Sequence, residues 1–422
     1  MSDSVKRKEQ SKRSGLRHQG KPTDDWTLAD FHVPEEEGKT RFHDLDLELP
    51  IMRAINDLGF SYCSGIQGEV LPYTLDGYDA IGKAQTGTGK TAAFLITAIN
   101  DMLLNPIKES RYVGEPRALI VAPTRELVLQ IAEDAKKLCK HTDLSVVALI
   151  GGTDFDKQQK QLDRGPVDII AATPGRLMDF HRRGYIHLDT VEILVLDEAD
   201  RMLDMGFIPQ VKQIVNATPD KTRRQTLLFS ATFNYDVTNL AHRWTSEPVT
   251  IEIEPESVAT DTVEQKLVSL SETEKLTALK YILKEPEVKS SIIFANRRDT
   301  TRFVYEQLRN AGFSAGMLSG EVAQQKRSKT LENFKKGTIS VMVATDVAGR
   351  GIHVDGISHV INYDMPEDPD DYVHRIGRTG RAGETGVAYT FVGEMDAFGL
   401  ADLEKLLGKP LSVESPPKEW LP

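Results

Sequence analysis

Short apolar runs alternate with amphipathic segments along most of the chain, from about residue 42 onward. Short apolar runs bounded by polar turns are typical of buried strands, whereas amphipathic segments with a helical period are typical of helices. This alternation favours parallel sheets that are covered by helices on both faces. The predicted strands are 79–82, 118–122, 145–150, 168–172, 193–196 and 226–229 and, in a second series, 291–294, 316–318, 340–344, 359–362 and 387–391.

The two series predict an α/β protein with two tandem lobes, each a doubly wound parallel sheet. Between them the chain turns acidic and irregular at 247–265 and contains Pro248 and Pro255, which favours a linker. The predicted boundaries are a disordered basic arm and lead-in at 1–40, a first lobe at 41–250, a linker at 251–262, a second lobe at 263–411 and a short Pro-rich tail at 412–422.

Composition and charge narrow the classes of function. The 422-residue chain is 40% hydrophobic and 27% charged, as in globular proteins, and its net charge of −11 argues against a broadly basic protein that coats nucleic acid. Residues 1–21 carry seven Lys or Arg against two acidic residues, and such an arm either attracts RNA or is only solvated. Because Cys63 and Cys139 lie far apart and no apolar run is long enough to span a bilayer, we expect a reduced, cytoplasmic protein.

A glycine-containing segment lies between a predicted strand and a helix that is predicted to begin near Thr91. Its glycines allow backbone N–H groups to converge on an anion, and the helix N-terminus adds its positive dipole, so the segment predicts a phosphate-binding loop. Lys90 is suited to neutralise the β- and γ-phosphates and Thr91 to hold Mg²⁺. The residues of this loop are Ala84, where the usual pattern has glycine, Gln85, Thr86, Gly87, Thr88, Gly89, Lys90 and Thr91.

The acidic segment Asp-Glu-Ala-Asp at 197–200 directly follows the apolar run 191–196. At the carboxyl end of a buried parallel strand, it faces the same crevice as the phosphate-binding loop. Asp197 is suited to hold Mg²⁺, partly through water, and Glu198 to orient and deprotonate an attacking water. The alternative is a solvated acidic turn.

These segments and several others resemble the motifs of the DEAD-box RNA helicases, a family of ATP-dependent enzymes built from two RecA-like lobes. The resemblance covers about 42–411 and rests on segments in the family's order: GFSYCSGIQ at 59–67, AQTGTGKT at 84–91, PTREL at 123–127, GG at 151–152, TPGR at 173–176, DEAD at 197–200, SAT at 230–232, IIFANR at 292–297, ATDV at 344–347 and HRIGRTGR at 374–381. It implies RNA-stimulated hydrolysis of ATP, with ATP and Mg²⁺ as cofactors.

By this resemblance Gln67 reads adenine, since a side-chain amide donates to and accepts from the base edge. Phe42 matches the family's aromatic residue that stacks on the base, and an ordinary buried phenylalanine is the alternative. Residues 63–65 are Cys-Ser-Gly where the family usually has Pro-Thr-Pro, so the loop lacks two rigid prolines. Asp346 is assigned to the ATP site as well.

The resemblance also implies that the second lobe takes part in catalysis. Arg378 and Arg381 correspond to arginine fingers that stabilise charge on the γ-phosphate, and a salt bridge is the alternative. His374, in the same motif, is assigned a structural or coupling role. Ser230 and Thr232 are implied to hydrogen-bond to the acidic motif and couple hydrolysis to RNA binding, although such a triplet is also typical of a helix N-cap.

RNA contacts are expected to use phosphates and riboses, so that binding is independent of sequence. Neither lobe has an obvious run of aromatic residues for stacking on bases. The positions that match the family's RNA contacts are Thr124, Arg125, Gly151, Gly152, Thr173, Gly175 and Arg176 in the first lobe and Gly320, Gln324, Arg327 and Thr345 in the second.

One departure concerns His353, which follows Gly-Arg-Gly-Ile at 349–352 where the family usually has aspartate. Together with the segment 321–327, it resembles the bacterial RNA helicase B branch, whose members associate with an endoribonuclease in the RNA degradosome. Without that carboxylate we expect the two lobes to close weakly and a partner protein to assist closure. Two other functions stay open: an ATP-switched RNA clamp or scaffold that does not unwind, and a DNA-directed two-lobe ATPase.

Replacing His353 by Asp is expected to raise the RNA-stimulated ATPase measured without a partner, because the restored carboxylate favours closure. An unchanged ATPase, both with and without the partner, would show that His353 has no such effect.

Overall fold

The computed structural model describes residues 26–84, 87–107, 111–253, 263–319, 322, 324–349, 354, 356–380 and 385–421. Several predictions fall outside these residues. They concern the basic arm 1–21, most of the linker 251–262, Gln85, Thr86, Gly320, His353 and Arg381, and within the helix that contains Gln324 nothing is described of that side chain.

The chain divides into two compact units, Met1–Glu254 and Pro255–Pro422. In the described part of each unit, seven strands form one sheet in which every neighbouring pair is parallel. The predicted α/β class with two doubly wound parallel sheets is therefore confirmed. None of the helices within the described ranges is long and apolar enough to cross a membrane.

In the first unit the strands are ordered β3-β4-β2-β5-β6-β1-β7 across the sheet. The strands are β1 (Ala80–Lys83), β2 (Ala118–Val121), β3 (Val146–Leu149), β4 (Ile169–Ala172), β5 (Ile193–Leu196), β6 (Gln225–Ser230) and β7 (Val249–Glu252). The helices are α1 (Leu49–Asp57), α2 (Gly65–Thr74), α3 (Lys90–Leu104), α4 (Arg125–Leu138), α5 (Phe155–Leu162), α6 (Pro174–Arg182), α7 (Ala199–Asp204), α8 (Ile208–Ala217) and α9 (Tyr235–Trp244).

Both faces of this sheet are buried. Along β2, Ala118 and Ile120 belong to one hydrophobic cluster, whereas Leu119 and Val121 belong to a second cluster on the other face. Successive side chains of a strand point to opposite faces, so a strand covered on both sides is apolar throughout. This is why the continuous apolar runs were sufficient to predict β2, β4 and β5.

In the second unit the strands are ordered β10-β11-β9-β12-β13-β8-β14. The strands are β8 (Val263–Ser269), β9 (Ser291–Phe294), β10 (Ala315–Leu318), β11 (Val341–Ala344), β12 (His359–Asn362), β13 (Gly386–Val392) and β14 (Val413–Glu414). The helices are α10 (Glu272–Ile282), α11 (Arg298–Asn310), α12 (Gln324–Lys335), α13 (Asp346–Gly349), α14 (Pro369–Ile376) and α15 (Ala397–Leu407).

The irregular stretch predicted at 247–265 is wrong in part, because both of its ends are strands. Strand β7 pairs with β1 at the edge of the first sheet, and β8 begins at Val263 and pairs with β13. In β7 only Ile251 is buried, while Thr250 and Glu252 are exposed. An edge strand with one buried side chain lacks the apolar run that predicts a central strand.

The predicted Pro-rich tail also packs on the second unit. Strand β14 pairs with β8, and a short 3₁₀ helix, Lys418–Trp420, follows it. Trp420 is 9% exposed, and its ring meets that of Tyr389 edge-on at 5.8 Å between centroids. A large buried aromatic side chain contributes strongly to packing, so this segment is part of the second unit's core.

Replacing Trp420 by Ala should lower the free energy of unfolding of the second unit by about 3 kcal/mol, since a buried aromatic side chain leaves a cavity. Urea denaturation followed by circular dichroism measures the change. The matched control is Leu421→Ala, whose side chain is 37% exposed, and its effect should stay below about 0.5 kcal/mol. Equal effects of the two substitutions would show that the segment does not pack as described.

Candidate functional site

Three loops of the first unit meet at one edge of its sheet. Strands β5, β6 and β1 are neighbours and run parallel, so the residues that follow them emerge side by side. These residues are the phosphate-binding loop after β1, the acidic segment 197–200 after β5 and the Ser-Ala-Thr segment at the end of β6. The sheet order therefore brings together the three segments that the sequence singles out separately.

The phosphate-binding loop leads directly into α3, which begins at Lys90. Lys90 is buried, and its Nζ donates to the carbonyl oxygen of Ala84 at 2.5 Å, which folds the side chain back across the loop. Gly87 and Gly89 have φ of +92° and +95°, in the left-handed region that favours glycine. Thr91 lies in the first turn of α3, where N–H groups lack partners within the helix.

Gln67 links the predicted adenine motif to this loop. Its Oε1 accepts from the backbone N–H of Ser64 at 2.9 Å, and its Nε2 donates to the carbonyl oxygen of Gly89 at 3.1 Å. The amide retains a second lone pair and a second N–H for a base edge. Phe42 is fully buried in the hydrophobic core, so its ring has no exposed face in this structure, and its stacking on adenine stays a prediction.

The two acidic residues after β5 are buried beside the loop. Burial raises the pKa of Asp197 to about 6, and the nearby charge of Lys90 acts against this shift. Glu198 has a left-handed backbone with φ of +55°, which a non-glycine residue adopts at a cost and which is frequent at functional sites. Both of its carboxylate oxygens accept from Nη1 of Arg201, at 3.1 and 3.0 Å.

Arg201 was not singled out from the sequence, although it directly follows the acidic motif. It is 3% exposed and pairs with Glu198, which is equally buried. A paired and hydrogen-bonded partner is what allows a carboxylate to be buried. The solvated acidic turn that was the alternative for this segment is thus wrong.

The residues present are suited to an ATP–Mg²⁺ complex. Mg²⁺ in nucleotide sites is held by phosphate oxygens and one or two protein groups. The Asp197 carboxylate and the Thr91 hydroxyl are the predicted ligands and would be the groups to hold it. Among the residues that the structure describes, no group of three or more His, Cys, Asp or Glu is arranged to hold a metal ion.

Asp200 joins the acidic motif to the Ser-Ala-Thr segment. Its backbone N–H donates to Oγ of Ser230 at 3.1 Å, and its Oδ2 accepts from the backbone N–H and the hydroxyl of Thr232 at 2.9 and 3.0 Å. Burial alone would raise the pKa of Asp200, but these bonds and the charge of Arg201 lower the pKa below its ordinary value. The expected hydrogen bonds are present, and the N-cap alternative is wrong because Asn234 caps α9.

The predicted RNA residues of the first unit lie on the other half of the same edge. Strands β3, β4 and β2 are neighbours, and the loops after them contain Gly151 and Gly152, Thr173 to Arg176, and Thr124 and Arg125. A Cβ on Gly152 would lie 2.3 Å from Nη1 of Arg125, so the guanidinium rests directly against this glycine. Arg176 donates from Nη2 to the carbonyl oxygen of Thr153 at 3.0 Å.

Three further predicted RNA residues of this half differ in exposure. Thr124 is nearly buried and caps α4 by accepting from the N–H of Leu127 at 3.3 Å. Thr173 is nearly buried at the start of α6, and Gly175 in the first turn of that helix is exposed. Gly175 therefore offers backbone to a ligand, whereas the two threonines offer little side-chain surface.

In the second unit, a buried arginine organises the residues after β9 and β11. Two nitrogens of the Arg375 guanidinium, Nε and Nη2, donate to the two carboxylate oxygens of Asp346, each at 2.6 Å. Nη2 also donates to Oδ1 of Asn296 at 2.7 Å. The Asp346 carboxylate is thus held by Arg375, which the sequence did not single out within HRIGRTGR. Its assignment to the ATP site stays a prediction.

The other predicted residues of the second unit lie on α14 or just after it, on α12, and directly after β11. Arg378 is 2% exposed and donates from Nε to the carbonyl oxygen of His374 at 3.2 Å. His374 places Nδ1 3.8 Å from Oδ1 of Asp371. Thr345 is nearly buried directly after β11, and Arg327 is partly buried on α12.

Comparison with known proteins adds an independent line of support. The family model of the DEAD/DEAH box helicases matches residues 64–240, and that of the helicase conserved C-terminal domain matches residues 274–383. An ATP-dependent RNA helicase RhlB of Pseudomonas aeruginosa is 59% identical over 389 residues, which cover 92% of this chain and 98% of that protein. RhlB of Shewanella baltica is 42% identical over 381 residues, which cover 90% and 87%.

Solved structures agree with this result. Dbp5 of S. cerevisiae bound to RNA and ADP BeF3 matches with a TM-score of 0.78 and 31% identity, covering 90% of this chain and 97% of that chain. Mss116p bound to ssRNA and AMP-PNP matches with a TM-score of 0.80 and 27% identity, covering 92% and 82%. The expectation of two tandem RecA-like domains is confirmed.

Replacing Gly89 by Ala should raise the KM for ATP by about tenfold relative to Gly87→Ala. Both substitutions meet the same left-handed backbone, but only at position 89 would the new Cβ lie 2.5 Å from Gln67 Nε2 and 2.6 Å from Ser64 Oγ, whereas at position 87 it would meet nothing. Steady-state ATPase kinetics measure both variants. Equal KM values would mean that the contact between Gln67 and Gly89 does not shape the nucleotide site.

Proposed function

The chain belongs to the DEAD-box family of ATP-dependent RNA helicases, and we propose that it couples RNA-stimulated ATP hydrolysis to local separation of short RNA duplexes or to remodelling of RNA–protein complexes. The observation that carries this proposal is the shared edge of the first sheet. One half of that edge carries the nucleotide loops and the other half carries the predicted RNA loops. This arrangement supports the proposal that a single sheet positions residues for both ligands.

In the proposed reaction, Lys90 binds the phosphates, and Thr91 and Asp197 would hold the Mg²⁺ ion. When bound, this ion would supply positive charge against the β- and γ-phosphate oxygens. Glu198 takes a proton from the attacking water. The buried ion pair with Arg201 holds the Glu198 carboxylate at a fixed place beside the loop.

The proposed link from hydrolysis to RNA runs through Asp200. Its hydrogen bonds join the catalytic segment after β5 to the segment after β6. A displacement of either segment changes the position of the other, because buried and fully paired polar groups resist separation. Ser230 and Thr232 are therefore proposed to couple hydrolysis to RNA binding.

We assign Arg378 and Arg381 to the γ-phosphate of the ATP bound by the first unit, where their guanidinium groups would stabilise the charge of the transition state. ATP bound in this way favours approach of the second unit. By linkage, RNA that binds the same closed form strengthens ATP binding to the same extent.

RNA is proposed to be held through phosphates and riboses by Arg125, the Gly151–Gly152 turn and Arg176, together with the second-unit positions 320, 324, 327 and 345. Such contacts do not read sequence. A closed form that bends one strand excludes its complement, so a few base pairs open, and hydrolysis then releases the strand.

The proposed setting is bacterial mRNA decay in the cytoplasm, with an endoribonuclease of the RNA degradosome as partner. The similarity to RhlB proteins from two bacterial genera supports this setting. The departure at His353 supports a helper protein, because a chain that closes weakly alone gains most from one.

Replacing Glu198 by Gln should lower RNA-stimulated turnover of ATP by about a hundredfold or more, because the amide cannot accept the proton of the attacking water. Binding of a fluorescent ATP analogue should persist. The matched control is Glu133→Gln, whose side chain is 72% exposed on α4. Full RNA-stimulated ATPase in Glu198→Gln would remove Glu198 from the catalytic role.

Strand separation distinguishes helicase activity from the two alternatives. A helicase separates a short labelled RNA duplex when ATP is hydrolysed, whereas an RNA clamp only stays on RNA while ATP is bound. A DNA-directed ATPase is stimulated by single-stranded DNA instead of RNA. Stimulation by RNA without strand separation would favour the clamp.

A further inference from the structure

The turn that carries Gly151 and Gly152 is held in place by one buried side chain, Gln158 on α5. Gln158 is 6% exposed. Its Oε1 accepts from the backbone N–H of Ile150 at 2.9 Å, and its Nε2 lies 3.1 Å from the carbonyl oxygen of the same residue. Both polar groups of the residue that precedes the glycine pair are thus bound by one amide.

The same amide reaches the far side of the turn. Nε2 of Gln158 lies 2.6 Å from Oγ1 of Thr153 and 3.3 Å from the carbonyl oxygen of Asp154. Thr153 itself donates to the carbonyl oxygen of Ile150 at 3.0 Å. Gln158 therefore bridges the two ends of the segment 150–154, which we call the glycine turn.

Each side of the glycine turn holds one of the predicted RNA-binding arginines. The guanidinium of Arg125 rests against Gly152, where an added Cβ would lie 2.3 Å from its Nη1, and the φ of Gly152 is +71°. On the other side, Arg176 donates to the carbonyl oxygen of Thr153. Both guanidinium groups thus lie against the glycine turn.

A second residue of α5 supports Arg176 from its flank. The ring of Phe155 stacks on that of Phe180 at 4.1 Å between centroids, and the guanidinium carbon of Arg176 lies 5.7 Å from the Phe155 ring centroid. This cation–π contact adds a second attraction to the hydrogen bond that holds Arg176. Helix α5 therefore contacts Arg176 directly through the Phe155 ring and indirectly through the glycine turn that Gln158 holds.

We propose that Gln158 is a positioning residue for RNA binding: it sets the glycine turn and, through it, the two arginines that hold the RNA backbone. The proposal rests on the proposed function of Arg125 and Arg176 as RNA contacts. A glutamine with a purely structural role could pair with unpaired backbone groups at the end of any helix or strand. Gln158 instead bonds to both ends of the one turn that lies between these two arginines.

The test compares Gln158→Met with Gln161→Met, a substitution at an exposed position of the same helix. Methionine keeps the length and volume of glutamine and removes all its hydrogen bonds. The measurement is ATPase rate against the concentration of single-stranded RNA, with the KM for ATP measured in parallel.

The half-stimulating RNA concentration should rise about tenfold in Gln158→Met, the effect of losing one to two net hydrogen bonds. The KM for ATP, measured at saturating RNA, should change less than about twofold, because RNA then fills its site in both proteins and the coupling to ATP is retained. Gln161→Met should match the wild type in both quantities.

Three results overturn the proposal or its premise. A half-stimulating RNA concentration that is the same in both variants overturns the role of Gln158. An equal loss of RNA affinity and ATP affinity in Gln158→Met also overturns it, because that result would show that the substitution disturbs the fold of the first unit as a whole. Absence of RNA stimulation in the wild type overturns the proposed function itself, and it is seen before any variant is made.

Gln158→Glu provides the comparison if Gln158→Met is not recovered in folded form. Glutamate still accepts from the N–H of Ile150, but it sets a carboxylate against the carbonyl oxygens of Ile150 and Asp154. The half-stimulating RNA concentration should therefore rise here too. Wild-type RNA dependence in folded Gln158→Glu contradicts the proposal.

Discussion

Parallel pairing places the end of every strand of a sheet at the same edge, and the chemistry of this protein depends on that constraint. In the first unit, residues that are far apart along the chain, such as Lys90, Glu198 and Ser230, follow three neighbouring strands and so become close neighbours in space. If one of these strands ran in the opposite direction, the segment that follows it would lie at the opposite edge of the sheet.

The same edge is divided by the order of the strands. Strands β1, β6 and β5 carry the nucleotide loops, whereas β2, β4 and β3 carry the predicted RNA loops. Between the two halves, β5 and β2 are paired along their whole length. Both ligands are thus predicted to contact loops of the same sheet. The hydrogen bonds of Asp200 join the segments that follow β5 and β6 in the nucleotide half.

The sequence predicts most of the central strands, because buried strands are continuously apolar. It also predicts that the phosphate-binding loop, the acidic segment and the Ser-Ala-Thr segment come together, whereas their roles toward a nucleotide stay predictions. It does not predict β7 or β14, which are edge strands with few buried side chains, or β8, an interior strand whose buried positions are interrupted by exposed and partly buried ones. Nor does it predict Arg201, Arg375 or Gln158. Arginine and glutamine side chains are mostly exposed in proteins, so the sequence gives no sign that these three are buried. Their hydrogen-bond partners are brought to them only by the fold.

Reciprocal coupling between ATP and RNA is the most direct test of the account. Binding of a non-hydrolysable ATP analogue is measured with and without saturating single-stranded RNA, and RNA binding is measured with and without the saturating analogue. The account predicts that each ligand tightens the other by the same factor, about tenfold or more. Affinities that are independent of the second ligand would contradict a common closed state that binds both.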